Sequence, residues 1–230
     1  MNSDLAAMSW PATKQALIDQ QVALGRAAPP PWRPEDGVAV GGCFVCFTRG
    51  PSGPGRAGER GWAGAAVVRE GTLTATAAVE GTAGAPYEEG LLAMREGPLL
   101  EAAIRALDEP PDVLLVNATG RDHPRHAGLA VHLGALLELP TIGVTHRPLL
   151  ATGVWPEEAR GATAPLELDG EVVGHWVRTR VGRHPLAVHA AWRTDPELAT
   201  RLVLDQCRTR TPEPLRHARR IARHARSGQP

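Results

Sequence analysis

Three groups of polar residues lie beside short apolar stretches of this sequence and could act together chemically. They are Pro86–Gly90 with Arg95 and Glu96, Asn117–Gly120 with His123 to Arg125, and Thr141–Val144 with His146 and Arg147. Polar residues just beyond the carboxyl ends of parallel strands commonly form the ligand site of an open α/β sheet. A cation such as magnesium needs hard, preferably anionic oxygen ligands. The groups contain the carboxylates of Glu88, Glu89 and Glu96 and the neutral amide oxygen of Asn117.

The elements that must position these groups are predicted from apolar periodicity and from turn residues. Strands are predicted at Val38–Phe47, Trp62–Arg69, Thr72–Val79, Val113–Val116, Thr141–Val144, Leu166–Leu168, Val172–Arg178 and Leu186–Ala190. Helices are predicted from a Ser9 cap to about Arg26 and at Leu91–Leu107, Arg125–Leu139, Pro196–Cys207 and Pro214–Arg226. The order βββ-α-β-α-β is that of a ribonuclease H-like α/β fold, a mixed sheet with three antiparallel strands followed by parallel strands. We expect helices on both faces and one domain over residues 1–230.

The charge of the chain is balanced, with 25 basic and 25 acidic residues, so no global field favours a polyanionic partner. The basic residues include one lysine, Lys14, and the rest are arginines. Five arginines and two histidines, with no acid, lie in the segment Arg216–Arg226. This segment is either a solvated helix face or a weak auxiliary contact to a phosphate backbone.

The three cysteines do not indicate a disulfide framework. Cys43 and Cys46 lie three apart in a predicted strand and should point to opposite faces, so we expect core packing rather than a shared metal. Met1–Trp10 has no basic leader, and no window approaches a membrane span, which predicts a cytoplasmic protein with no membrane partner.

The polar groups resemble the motifs of the endonuclease V family, which cuts nucleic acid near inosine. The family patterns P-Y-x-x-G followed by F-R-E, V-D-G-H-G followed by H-P-R, and T-I-G-V-A-K correspond here to PYEEG…MRE, VNATG…HPR and TIGVTH. Further similarity lies in Gln20-Gln21 and in Pro212–Pro214. The motifs occur in the family's order over nearly the whole chain, so the fold implied is ribonuclease H-like.

The resemblance implies a site that holds Mg²⁺ or Mn²⁺ between carboxylates, and most of its positions are changed here. Glu96 is retained, while Gly42 and Asn117 stand at the aspartate positions. His146 stands at the lysine position, and Trp192, or Ala191 if the register slips, stands at the histidine position. If a metal binds at all, its ligands would be Glu96 and Asn117. We expect no cofactor, and we expect the indole of Trp192 to fill the space beside Gly42.

The resemblance also implies residues that would contact nucleic acid. These are Tyr87 at the tip of the strand-separating wedge, Gly90, Gly120 and Gly143 around the base, and His123 and Arg125 near the site. The leading interpretation is a protein with impaired or absent cleavage that retains affinity for DNA or RNA, inosine-containing in the family. One alternative is an active nuclease that uses Glu96, Asn117 and Asp122. The other is a protein-interaction scaffold that binds no polynucleotide.

Overall fold

The computed structural model describes residues 8–48 and 53–228. Within these residues the strands are β1 Ala39–Phe47, β2 Arg60–Arg69, β3 Thr72–Thr82, β4 Val113–Val116, β5 Thr141–Thr145, β6 Thr163–Leu168, β7 Glu171–Val177 and β8 Leu186–Ala190. The helices are α1 Lys14–Arg26, α2 Leu92–Arg105, α3 Leu129–Leu137, α4 Pro196–Asp205 and α5 Glu213–Ser227. The predicted order of elements is confirmed.

These eight strands form one mixed sheet in the order β3-β2-β1-β4-β5-β8-β7-β6. β1, β2 and β3 are antiparallel neighbours, and β1, β4 and β5 run parallel. β8 then runs antiparallel to β5, followed by β7 and β6. The sheet is therefore the ribonuclease H-like mixed sheet that the sequence predicts.

Helices cover both faces of the sheet because its central strands are apolar on both sides. Leu114 belongs to a core cluster with side chains of α1, α2 and α3, whereas its neighbour Leu115 belongs to a cluster with side chains of α4 and α5. Cys43 faces the first cluster, and Cys46 packs beside Ala222 of α5. The two cysteines are buried and free, so the prediction of core packing on opposite faces is confirmed.

The predicted turns and caps are partly correct. Glu70 and Asp169 have φ values of 50° and 53° and are followed by glycines with positive φ, as two-residue hairpin turns require. The first helix begins later than predicted: Thr13, not Ser9, caps it, and its hydroxyl accepts the N–H of Ala16 at 3.2 Å. The prediction placed the start too early because Trp10-Pro11 fits a helix start as well as Thr13 does.

The longest helix of the described segments, α5, has 15 residues, and none of these helices is long and apolar enough to cross a bilayer. The expectation that Met1–Trp10 has no basic leader rests mostly on residues 1–7, which lie outside the described residues. α5 lies very close to the sheet. A Cβ atom on Gly64 of β2 would come within 2.5 Å of the carbonyl oxygen of Ala218, so this approach requires glycine.

Candidate functional site

A small cavity lies where the carboxyl ends of β1, β4 and β5 meet helix α5. Its volume is about 20 Å³, and its lining includes Phe44 from β1, Asn117 directly after β4, His146 directly after β5 and Arg219 from α5. The parallel register of the three strands brings their ends together. The structure therefore confirms that Asn117 and His146 converge, and it adds Phe44 and Arg219.

A larger cavity of about 220 Å³ opens on the α2 side of the same strand ends. Glu96 of α2 and Tyr87 of the preceding loop line it, together with Phe44 and Asn117. Tyr87 is 50% exposed. Phe44 and Asn117 thus border both cavities, and the retained carboxylate lies with them on the larger one.

Phe44 and Arg219 form the contact that fills the junction between β1 and α5. The guanidinium carbon of Arg219 lies 4.9 Å from the centre of the Phe44 ring, within the range of a cation–π interaction. Nε of Arg219 is buried and has no hydrogen-bond partner among the described residues. The pKa of Arg219 is lowered, first by burial and then by the neighbouring charge of Arg223. A fixed cation over an aromatic ring therefore occupies this edge of the sheet.

A second arginine joins His146 at the outer side of the small cavity. Arg210 donates a hydrogen bond from one guanidinium nitrogen to Nδ1 of His146 at 3.0 Å. The pKa of His146 is lowered, first by burial and then by the charges of Arg210 and Arg219. His146 is therefore neutral at neutral pH and acts as an acceptor, while the two guanidinium groups make this side of the cavity positive.

Gly42 lies outside both cavities, and the prediction that Trp192 fills the space beside it is wrong. A Cβ atom on Gly42 would come within 2.4 Å of the carbonyl carbon of Pro214 and 2.6 Å of the amide nitrogen of Leu215. The first turn of α5 therefore occupies this space. The β1 residue that faces Asn117 is Phe44, two positions further along the strand.

Trp192 lies at the opposite end of the sheet. Its carbonyl oxygen accepts the N–H of Thr141, the first residue of β5, at 2.9 Å, and its own N–H donates to Oγ1 of Thr141 at 3.1 Å. A Cβ atom on Gly134 of α3 would lie 2.5 Å from the Cβ atom of Trp192, so Trp192 packs against α3. Because β8 runs antiparallel to β5, the residues after β8 lie beside the start of β5 and not beside His146.

His123 and Arg125 hold the loop that carries Tyr87. The carbonyl oxygen of Gly90 accepts a hydrogen bond from Arg125 at 3.0 Å and one from Gln21 of α1 at 3.1 Å, and it lies 3.0 Å from Nε2 of His123. Nε of Arg125 also donates to Gln21 at 2.7 Å. Burial lowers the pKa of His123 to about 4. These hydrogen bonds inside the protein position the loop.

Gly120 and Gly143 permit close backbone packing and line neither cavity. A Cβ atom on Gly143 would lie 2.5 Å from the carbonyl oxygen of Ala118, and one on Gly120 would lie 2.1 Å from that of Ala190. Any larger residue would push the strand ends apart.

Comparison with known proteins identifies this arrangement. A model of the Endonuclease V family matches residues 40–220. The chain belongs to the Endonuclease V family. Endonuclease V of Methanopyrus kandleri is 45% identical over 150 residues, and the match spans 65% of each of the two chains. The crystal structure of Endonuclease V from Streptomyces avermitilis has a TM-score of 0.84 and 33% identity, and the match covers 96% of both chains.

A more distant relative carries a nucleic acid. Endonuclease V of Ciona intestinalis, in complex with a 24mer DNA that contains an inosine followed by a ribo-adenosine, has a TM-score of 0.74 and 21% identity. The match covers 93% of this chain and 98% of that one. At 21% identity, this likeness shows a shared fold and nothing more.

The Endonuclease V family is metal-dependent, generally on Mg²⁺, and the residues at this edge of the sheet do not fit that ion. Glu96 is the single acidic residue among the described residues that line the two cavities. Desolvation raises its pKa to about 7, although Arg95 partly opposes the shift. Residues 8–48 and 53–228 contain no group of three or more His, Cys, Asp or Glu side chains that could hold a metal. Hard dications need more anionic oxygen than one carboxyl group supplies.

Asp122, considered as a substitute ligand, is committed elsewhere. It is fully buried, and its carboxylate accepts the backbone N–H groups of Leu149, Leu150 and Ala151 at 2.5, 2.8 and 2.7 Å. Three such hydrogen bonds occupy both oxygens. Asp122 therefore anchors the segment after β5 and is absent from the lining of both cavities.

Proposed function

We propose that this chain is a nucleic-acid-binding member of the Endonuclease V family that has lost metal-dependent cleavage. The observation that carries the proposal is the contact between Phe44 and Arg219 at the strand end that faces Asn117. A phenyl ring and a guanidinium group stand where a metal-dependent site would need oxygen ligands. Neither side chain can coordinate a hard cation.

Charge argues against a dication in this cavity. Arg219 carries a permanent positive charge, and Arg210 lies next to it around His146. At a separation of about 6 Å and an effective dielectric constant of about 20, one guanidinium group would repel a dication by on the order of 5 kcal/mol. The single carboxyl group of Glu96 does not offset two such charges.

Space gives an independent argument. The cavity shared by Phe44, Asn117 and His146 has a volume of about 20 Å³. A cavity needs roughly 10–15 Å³ to hold one water molecule. Magnesium in proteins usually keeps several of its waters, so the hydrated ion exceeds this cavity, and only the cavity of about 220 Å³ beside Glu96 has room for it.

The same residues suit the phosphate backbone of a nucleic acid. The planar fork of arginine matches phosphate oxygens, and Arg219 is partly exposed where it lines the small cavity. Tyr87 is half-exposed at the larger cavity, where an unpaired base could stack on it. Glu88 beside it is paired with Lys14, which reduces the repulsion of a phosphate. Inosine is the first base to test, because the Ciona relative is bound to DNA that contains it.

A single-turnover assay tests the loss of cleavage. Excess protein is incubated with inosine-containing DNA and RNA oligonucleotides in Mn²⁺, in Mg²⁺ and in EDTA. We expect no product above a protein-free control in any of the three. Product that forms with Mn²⁺ and disappears with EDTA would restore the active nuclease as the better interpretation.

Fluorescence anisotropy tests the binding. We expect Mg²⁺ not to strengthen binding of a 24mer relative to EDTA, and to weaken it to the extent that the ion competes for the phosphates. Arg219→Gln should reduce the slope of log K against log salt by roughly 0.7 to 1, because it removes one phosphate contact. The matched control is Arg201→Gln on the exposed side of α4, which should leave the slope unchanged. Absence of wild-type binding at low salt would overturn the proposal in favour of a protein-interaction scaffold.

A further inference from the structure

An exposed tryptophan lies on the loop after β5, outside the two cavities. Trp155 is 53% exposed, and Val154, Val181 and Leu150 are also large exposed apolar residues, at 80%, 56% and 43%. We call Leu150, Val154, Trp155 and Val181 the tryptophan platform. Large exposed apolar side chains grouped on a surface often mark a binding site.

The ring of Trp155 is held in place by two other rings. It meets His184 edge to face, with 4.8 Å between the ring centroids, and Trp176 edge to face, with 6.2 Å between them. Trp176 is fixed in turn, because its Nε1 donates to the carbonyl oxygen of Gly153 at 3.2 Å. A tryptophan already held in one orientation loses little conformational entropy when it stacks on a ligand.

A buried arginine fixes the backbone on both sides of the tryptophan platform. Arg178 is 6% exposed and donates hydrogen bonds to the carbonyl oxygens of Pro156, Glu157 and Arg183 at 3.1, 3.1 and 2.7 Å. One guanidinium group therefore joins the loop of Trp155 to the loop of Val181. The platform is a rigid part of the fold.

Arg210 connects the tryptophan platform to the small cavity. Its Nε donates to the carbonyl oxygen of His184 at 2.8 Å, while another of its nitrogens donates to His146 at 3.0 Å. Arg183, which is exposed, lies near enough to Arg210 to lower its pKa, after the larger effect of burial. A basic strip of Arg219, Arg210 and Arg183 therefore runs from the cavity to the platform.

We infer that the tryptophan platform binds an unpaired base of the nucleic-acid strand whose phosphates lie along the basic strip. Aromatic side chains beside a positive groove are the usual means of binding single strands, because every base has a face on which to stack. Glu157 and Glu158 are exposed acids on the loop of Trp155, and Glu158 accepts the N–H of Gly182 at 2.9 Å. The arginines of the strip outnumber these two acids. This inference rests on the proposed function, since it extends the same strand beyond the cavity.

The test compares Trp155→Ala, Trp155→Phe and wild type on single-stranded 15mers, each intact or with one abasic position. We expect Trp155→Ala to weaken binding of the intact strand about tenfold and to leave the salt slope unchanged, because no phosphate contact is removed. Trp155→Phe should recover most of the affinity. One abasic position should weaken wild type and not Trp155→Ala. Leu73→Ala, at an exposed apolar residue on β3, is the control.

The outcomes separate this inference from the proposed function. If wild type binds and Arg219→Gln reduces the salt slope, but Trp155→Ala binds intact strands as wild type does, the platform inference alone fails. If wild type binds no strand, both fail. If Trp155→Ala leaves strand affinity unchanged and abolishes self-association in sedimentation velocity, the platform is a protein interface and the inference is overturned.

Discussion

The imidazole of His132 is stacked on the indole of Trp10, with 4.8 Å between the ring centroids and 18° between their planes. His132 is fully buried, and neither of its ring nitrogens has a hydrogen-bond partner among the described residues. Burial lowers its pKa to about 4. The contact between α3 and the segment before α1 thus depends on a neutral histidine.

Replacing this histidine should change the acid stability of the protein. The ordinary pKa of histidine is about 6.5, so the unfolded chain takes up the proton first as the pH falls. The stability gained by keeping His132 neutral is complete above pH 6.5 and is lost between pH 6.5 and about 4. Relative to His132→Leu, wild type should therefore lose on the order of 3 kcal/mol of unfolding free energy between pH 7 and pH 4.

Urea unfolding of both proteins across this pH range measures the difference. Other groups with shifted pKa values, such as His123 and Glu96, titrate in both proteins and cancel. A packing effect alone would give an offset that is independent of pH. Such a constant offset would contradict the role assigned to His132.

The carboxylate of Asp122 should contribute to the stability of the fold and not to metal binding. An asparagine keeps one oxygen acceptor and replaces the other with a donor, which would face a backbone N–H group. Hydrogen bonds to charged groups contribute roughly 1.5–3 kcal/mol each, so we expect Asp122→Asn to lose at least about 2 kcal/mol. Denaturant titration measures this loss, with exposed Asp19→Asn as the control. Unchanged stability would mean that the segment from Leu149 to Ala151 is held by other contacts.

Restoring oxygen ligands should create a metal site. The triple variant Phe44→Asp, Asn117→Asp and Arg219→Gln would add two carboxylates to that of Glu96 at the larger cavity and would remove the fixed cation. We expect it to bind Mn²⁺, measured by the loss of the free-ion electron paramagnetic resonance signal, while wild type does not. Binding of a hard dication increases with the number of anionic ligands.

The matched control for that experiment carries alanine at residues 44 and 117 together with Arg219→Gln. It opens the same space without adding charge. Circular dichroism establishes that both variants are folded. Equal Mn²⁺ binding by the two variants, or none by the carboxylate variant at millimolar Mn²⁺, would show that ligand number does not limit this site.

Much of the fold follows from local patterns in the sequence. Glu70-Gly71 and Asp169-Gly170 specify hairpins because both turn positions need positive φ. Asn117 and His146 converge because each follows a buried parallel strand, and such strands end at one edge of the sheet. These inferences use only neighbouring residues and the rules of strand connection.

The position of the β1 residue in the site could not be derived in this way. Gly42 and Phe44 lie two apart and point to the same face of the sheet, so the alternation of a strand cannot decide between them. Only the docking of α5 distinguishes them, because its first turn covers Gly42 and leaves Phe44 beside Asn117.

Arg219 and Trp192 show two further limits of prediction from the sequence. Arg219 belongs to a run of basic residues whose spacing separates the apolar side of the helix from its polar side. Spacing does not say which arginine meets β1. Trp192 was misplaced because its position was inferred from the family's histidine position, whereas the direction of β8 relative to β5 is a property of the assembled sheet. A parallel β8 would have put residue 192 beside His146.

The contact between Pro214 and Gly42 also affects when the protein can first bind a ligand during synthesis. α5 follows all eight strands in the chain, so a ribosome-bound chain that has completed its sheet still has an uncovered surface along β1. Contacts that join distant parts of a chain form slowly, because a long loop must close first. Ligand affinity would then be gained only after α5 has been synthesised and has docked on β1.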